Sequence, residues 1–180
     1  MLQFEFDDFI IYPVQEKDAW RLCDFVTINS ERLKKYFPKT LEANQTPDLA
    51  KYFTIKKQRE FEHKEEFLFV LKEKENRTII GLVYVKNIKE DIKQGELAYA
   101  ISYNHERKGY ITKSVSRLCH WAFEVLKLKT LQIIAHNENI PSIKVAENCG
   151  FRWTNTLVKK FTPPNSIALD MELYELKNER

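Results

Sequence analysis

Gly95-Glu96-Leu97-Ala98-Tyr99-Ala100-Ile101-Ser102-Tyr103-Asn104-His105-Glu106-Arg107-Lys108-Gly109-Tyr110-Ile111-Thr112 is the stretch whose reading decides the fold. Residues 95–102 form a strand pattern, and an apolar-periodic helix begins near Thr112. The join between them, residues 106–112, is basic and holds a glycine. A strand that ends in such a turn and opens a helix is a device for holding phosphate. The first N–H groups of a helix have no partner within it, and the helix start carries about half a positive charge. Gly109 lets a phosphate approach the backbone, and Arg107 and Lys108 add charge beside it. The loop has neither the Gly-x-x-x-x-Gly-Lys-Ser/Thr pattern nor a three-glycine dinucleotide fingerprint. Taken alone it admits two readings: a phosphate cradle, or a glycine at a helix start beside two solvated basic residues.

Upstream, Phe9-Ile10-Ile11-Tyr12 is a short apolar run ended by Pro13, an early strand. Residues 16–29 place Ala19, Leu22, Cys23 and Val26 at helical spacing. Residues 30–37 continue as a second helical piece, stopped by Pro38. Thr46-Pro47 starts a further helix, with an N-cap hydroxyl and proline at the first helical position. That helix runs to about His63 and carries Leu49, Tyr52, Phe53 and Phe61, while its lysines read as a solvated face. Residues 67–71 and 78–85 flank the turn Lys74-Glu75-Asn76 as a hairpin. Both runs are almost continuously apolar, so their sheet is covered on both faces over part of its length.

Downstream, the helix over residues 112–126 presents Val115, Leu118, Ala122 and Val125 on one stripe. Residues 131–135 are a strand, and residues 139–148 a short helix closed by Gly150 just past its C-cap. Residues 151–161 and 167–176 form a closing antiparallel pair, with Pro163-Pro164-Asn165 in the connection. The order predicts one mixed α/β domain over residues 1–180, with a right-handed parallel crossover around residues 96–135.

Composition narrows the function. A chain of 180 residues with twelve Phe and eight Tyr has ample core for one domain and is not disordered. The net charge of +3 is small and its charges are interleaved, which gives no case for nucleic acid as the main partner. No apolar run approaches the roughly 18–20 residues that span a bilayer. The acidic start lacks the basic region of a signal peptide. Cys23, Cys119 and Cys149 are odd in number, far apart and without metal-ligand spacing, which fits reduced thiols in the cytoplasm. Cys119 and Cys149 fall in helical patterns as small core residues. No metal-ligand carboxylate pair accompanies the loop, which disfavours a nucleotide phosphotransferase.

A second constellation follows the next strand: Asn137-Glu138-Asn139-Ile140-Pro141-Ser142-Ile143-Lys144, running on to Gly150-Phe151. A capped helix explains Asn139 and Gly150 but does not need Asn137, Ser142 and Lys144 together. With this segment the chain resembles the GNAT N-acetyltransferases, in particular the branch that acetylates ribosomal-protein N-termini. That family's pyrophosphate loop, Gln/Arg-x-x-Gly-x-Gly/Ala, is matched by residues 106–111. Its Asn-x-x-Ser to Gly-Phe segment is matched by Asn139, Ser142, Gly150 and Phe151. Residues 96–101 look like the branch's Glu-Ile-Gly-Tyr-Trp-Leu strand. The chain departs from the pattern at Glu106, at Ile111 and at Arg107, which stands where the branch has glycine. A carboxylate at 106 repels a pyrophosphate unless its side chain turns away.

The resemblance implies a GNAT-like fold: a mixed central sheet of about seven strands, with splayed parallel strands, flanked by helices. It implies acetyl-CoA as cosubstrate, no metal, and direct acetyl transfer to a primary amine, in first place a protein N-terminus. Transfer to a polyamine or aminoglycoside, and a non-catalytic acyl-CoA sensor, are the alternatives. The pantetheine arm would lie where residues 96–102 splay from 131–137 and pair with the backbone of Ala100, Ile101 and Ser102. The pyrophosphate would sit on the amides of Arg107, Lys108, Gly109, Tyr110, Ile111 and Thr112, with Asn137, Asn139, Ser142 and Lys144 as further CoA contacts. A backbone N–H near residues 99–101 would stabilise the oxyanion. Glu96 is the candidate base and Ser142 the candidate donor to the departing thiolate. His105 and His136 read as loop residues. The acceptor would lie between residues 16–62 and 151–176, lined by Tyr36, Phe37, Trp153 and Tyr174, with Glu42, Glu60 and Glu62 to attract its charge. Monomer and homodimer both occur in such a family, and the location is cytoplasmic.

Overall fold

The computed structural model describes residues 2–178. Eight strands form one mixed sheet: β1 (Phe4–Glu5), β2 (Phe9–Pro13), β3 (Phe67–Glu73), β4 (Ile79–Lys89), β5 (Gln94–Ile101), β6 (Thr130–Ala135), β7 (Arg152–Phe161) and β8 (Leu169–Lys177). Their order across the sheet is β1-β2-β3-β4-β5-β6-β8-β7. The helices are α1 (Ala19–Ile28), α2 (Ser30–Tyr36), α3 (Pro38–Glu42), α4 (Pro47–Glu62), α5 (Tyr110–Glu124) and α6 (Ile140–Asn148). The extra strand over the seven expected is β1, a two-residue edge pairing Phe4↔Ile11 and Glu5↔Ile10. Two residues carry too little periodicity to be read from sequence. The chain divides into two compact units. One runs to Tyr84 and takes in Tyr99–Lys108; the other takes Val85–Ala98 and the chain from Gly109 onward.

In the first unit, β2 lies antiparallel to β3 in the register Phe9↔Glu73 to Pro13↔Phe69. Phe67, Leu68, Phe69, Val70 and Leu71 are all buried, as are Ile79 to Tyr84 along β4. A continuous apolar run of this kind is buried on both faces, as its sequence predicts. Helix α1 packs on α4 through Ala19, Cys23 and Ala50, small side chains that let the two helices approach closely.

Two sequence expectations change here. Pro38 stops α2 but also starts α3, because proline at a first helical position gives up no hydrogen bond. The buried line of α4 is Ala50, Thr54 and Lys57, whereas Leu49 and Tyr52 are 45% and 75% exposed. Helical spacing puts residues 50, 54 and 57 on one face. Lys57 is therefore not on a solvated face. Its ammonium donates to Glu60 at 2.6 Å, pairs with Glu66, and lies 5.4 Å from the Phe53 ring centre and 5.7 Å from that of Tyr84. Burial pushes the Tyr84 hydroxyl above its ordinary value, and this hydroxyl hydrogen-bonds Thr40 Oγ1 at 2.9 Å. Removing the lysine leaves two half-buried carboxylates without their cation. Lys57→Ala is expected to lower unfolding free energy by about 2–3 kcal/mol in urea melts, and more than Lys56→Ala on the exposed side.

In the second unit, β5 runs parallel to β6, β6 antiparallel to β8, and β7 antiparallel to β8. Helix α5 starts at Tyr110, two residues before the sequence pattern suggests, because the glycine ahead of it serves as N-cap. Val115, Leu118 and Ala122 are buried as expected. Val125 is 61% exposed, since it falls on the C-cap, where the helical face ends. Cys119 is buried, but Cys149 is the C-cap of α6 and only partly covered.

Turns in this chain are made largely without glycine. Eight non-glycine residues among those described have a left-handed φ, and six are basic: Lys64, Arg77, Lys93, Arg107, Lys127 and Lys159.

Candidate active site

Strand β5 brings the decisive stretch to its loop. Its parallel pairing with β6 runs from Gln94↔Thr130 to Leu97↔Ile133 and stops there. Both strands go on, β5 to Ile101 and β6 to Ala135. Past that point, Ser102 N–H donates to Ile80 C=O at 2.8 Å. Backbone polar groups alternate sides along a strand, so Ala100 and Ser102 face β4 while Tyr99 and Ile101 face away from it. Ile101 C=O, on that opposite side, accepts from Arg32 Nη1 at 2.8 Å. At its base β5 carries Glu96, half-buried. One of its carboxylate oxygens lies 3.3 Å from Lys86 Nζ, and the other accepts from Asn87 Nδ2 at 2.8 Å.

The loop after β5 begins with a 3₁₀ turn, Tyr103–His105, fastened at several points. Tyr103 N–H donates to Oδ1 of the buried Asn29 at 3.3 Å. His105 Nε2 lies 3.3 Å from Glu73 Oε1. The Asn76 amide, foremost, and then His105 and Lys108 hold the Glu73 carboxyl below its ordinary value, against a rise from burial. Glu106 forms an ion pair with Arg32. That pairing answers the repulsion anticipated from sequence, since the carboxylate has its own cation.

Arg107 and Lys108 are exposed, and Arg107 takes φ +59°. Gly109, φ +74°, is the N-cap of α5, and its C=O accepts the first helical bond, from Lys113 N–H at 3.0 Å. A Cβ at Gly109 would meet nothing within 4 Å, so its outer side is open. Tyr110 and Ile111 are 9% and 7% exposed. Ile111 therefore serves the core under α5 with its side chain, and offers a ligand only its backbone. Ser114 Oγ donates to Tyr110 C=O at 2.7 Å and tightens this first turn.

Helix α6 opens at Asn139, whose side-chain oxygen accepts from Ser142 N–H at 3.4 Å. Ser142 is half-buried, while Asn137 and Lys144 are exposed. His136 Nδ1 lies 3.7 Å from Glu138 Oε2, in the loop ahead of the cap. At the far end Gly150, φ +84°, lets Phe151 N–H reach Ala146 C=O at 3.0 Å, with Phe151 buried behind it. The neighbouring Cys149 thiol donates to Thr112 C=O, sulfur to oxygen 3.4 Å, and burial pushes it up to about 11. At pH 8 it is almost entirely protonated. Alkylation by iodoacetamide is expected to run on the order of a hundredfold slower than for a free thiol of pKa about 8.5, and a comparable rate would contradict this.

The four aromatic candidates fall two in each unit. Tyr36 is half-buried with Lys35 Nζ 5.0 Å from its ring centre, and Phe37 stacks on Tyr84 at 6.2 Å. Trp153 is 57% exposed, donates to Glu172, and stands opposite the buried Tyr174 in the β7–β8 register. Of the three carboxylates proposed to draw in an amine, Glu60 is engaged by Lys57, while Glu42 and Glu62 are exposed. Arg32 and Asn29 were not among the residues singled out from sequence, because their partners lie about seventy positions away. Among the described residues, no cluster of three or more His, Cys, Asp or Glu side chains is placed to hold a metal ion. None of the helices described is long and apolar enough to cross a membrane.

Comparison with known proteins follows the same lines. The model of the acetyltransferase (GNAT) domain matches residues 8–152. An uncharacterized N-acetyltransferase, p20, of Bacillus licheniformis is 25% identical over 103 residues, which is 57% of this chain and 57% of that protein. A Bacillus subtilis protein described as a candidate ribosomal N-acetyltransferase, YdaF, is 27% identical over 146 residues, 77% of this chain and 74% of its own. The chain thus spans little more than half the length of the first of these relatives. Among solved structures, the ribosomal-protein-S5-alanine acetyltransferase from Vibrio fischeri superposes with a TM-score of 0.93 at 24% identity, over 99% of this chain and 98% of that one.

Proposed function

The chain belongs to the acetyltransferase (GNAT) domain family, and from that premise we propose an N-acetyltransferase that moves the acetyl group of acetyl-CoA directly onto a protein N-terminal α-amino group. The observation that carries the reading is Gly109. Its left-handed backbone turns the loop into α5 so that the first turn of the helix begins next to two exposed basic side chains. Such a helix start receives a diphosphate through backbone N–H groups and the helix dipole together. Asn137, Asn139 and Lys144 add polar contacts for CoA. Ile101 lends its outward N–H to the pantetheine arm, flanked by Ala100 and Ser102 in the strand.

In the transfer, the amine lone pair attacks the thioester carbonyl and the carbon–sulfur bond breaks. Glu96 receives the amine proton, through a water, and later releases it to solvent, while Ser142 gives a proton to the thiolate and takes one back from solvent. Lys86 and Asn87 hold the Glu96 carboxylate in place. An α-amine has pKa about 8 against about 10.4 for lysine, so an N-terminal acceptor asks little of its base. Tyr36, Phe37, Trp153 and Tyr174 are the acceptor-side residues. The names of the B. subtilis relative and of the V. fischeri structure, both concerned with ribosomal proteins, favour a protein acceptor. The three unbridged thiols suit a reducing compartment such as the cytoplasm.

The test is thiol release from acetyl-CoA with peptide N-termini, polyamines and aminoglycosides side by side. Peptides are expected to be the best acceptors, with kcat/KM rising with pH and levelling near about 8 as the amine loses its proton. A polyamine or aminoglycoside turned over faster than every peptide would move the acceptor class. CoA binding without acceptor-dependent thiol release across the panel would make the chain a sensor.

A further inference from the structure

We propose that Arg32 is a positioning residue that holds the end of β5 and the lip of the phosphate cradle in their working geometry. Arg32 sits on α2, about a quarter exposed. From this one side chain, Nη1 donates to Ile101 C=O at 2.8 Å, Nη2 pairs with Glu106, and the guanidinium lies 4.2 Å from the Tyr103 ring centre. Three points of one six-residue stretch, 101, 103 and 106, are thereby tied to a single planar group. That stretch carries both the strand end proposed for the pantetheine arm and the residue immediately before Arg107. Only arginine offers forked donors and a stacking face at once; a lysine ammonium is a single point.

Glu106 is the one carboxylate in residues 101–112. Left alone, it would face an incoming diphosphate with like charge and reduce the pull of Arg107 and Lys108. Arg32 takes up that charge and turns the carboxylate toward α2. The same helix ends at Tyr36, with Phe37 next, so the residue that orders the cofactor segment and two proposed acceptor contacts share one short rigid piece. Buried Asn29, holding Tyr103 N–H just before α2 begins, fastens the piece from its other end.

The inference rests on residues 106–112 being the diphosphate site, and the experiment separates the two. Calorimetry of the full chain compares CoA with pantetheine, which carries no phosphate. Arg32→Met keeps the unbranched stem over Tyr103 but loses the fork and the charge. It is expected to weaken CoA about tenfold or more and pantetheine only about threefold. Arg32→Met combined with Glu106→Gln removes the unmatched carboxylate and is expected to return CoA affinity to within about threefold of the parent. A purely structural arginine would show no such rescue. A double variant as weak as Arg32→Met overturns the role of Glu106's charge, and an Arg32→Met that binds CoA like the parent overturns the role of Arg32. Should Arg32→Met not fold, Arg32→Lys serves. It retains the charge but not the fork, so CoA and pantetheine should weaken alike, by about threefold, and unchanged affinities would overturn the proposal. A parent chain that does not bind CoA at all overturns the proposed function and this inference with it.

Discussion

Gly109→Asp is expected to raise the dissociation constant for CoA at least about tenfold without unfolding the chain. At φ +74° an ordinary L-residue pays about 1–2 kcal/mol, but aspartate tolerates the left-handed region better than most and is a favoured N-cap. The added Cβ meets no atom of the protein within 4 Å. The fold therefore loses little, and the cost falls on the ligand. The new carboxylate would cap the same first-turn N–H groups that a diphosphate needs and would repel the diphosphate through its own charge. Gly109→Ala, with bulk but no charge, should lose only a few-fold. Calorimetry with CoA, beside circular dichroism to establish folding, decides the matter. A folded Gly109→Asp chain with parental affinity would place the diphosphate elsewhere.

Glu96→Gln is expected to lower kcat about a hundredfold while CoA affinity stays within about twofold. Glutamine has the same shape and can still accept from Asn87, so the strand should stay as it is. What disappears is the negative charge that receives a proton and balances Lys86. The base has most to do while the acceptor arrives protonated, since it must then take that proton as well as the one lost after attack. The deficit should therefore shrink as pH rises through the acceptor's pKa of about 8, since more of the amine is then already neutral. A loss that is equal at every pH would point to a structural carboxylate. No loss at all would leave water as the only base required.

Most of the frame was legible because it is local. Glycine at 109 and at 150, the Asn139 cap, the Thr46-Pro47 helix start and the apolar runs of β3 and β4 each declare themselves within a few residues. The places that were not legible share a different origin. Lys57 reads as solvent-facing until Glu66, nine residues on, and the ring of Tyr84 close around it. Glu106 reads as a flaw in a phosphate loop until Arg32 answers it from 74 positions upstream. Pro38 reads as a stop, and only the turn geometry reveals that it also begins α3. Pairings of charge across long stretches of chain leave no periodic trace, and charged side chains are one place where the local reading went astray.

The left-handed lysines and arginines point toward engineering. A non-glycine residue in that conformation costs about 1–2 kcal/mol, so the six basic residues together carry strain on the scale of a whole domain's marginal stability, about 5–15 kcal/mol. Five of them, Lys64, Arg77, Lys93, Lys127 and Lys159, are outside the residues proposed for catalysis or binding. Exchanging those corners for glycine offers a route to a heat-tolerant variant that leaves the chemistry untouched. Arg107 is the corner to spare, because it belongs to the proposed diphosphate site.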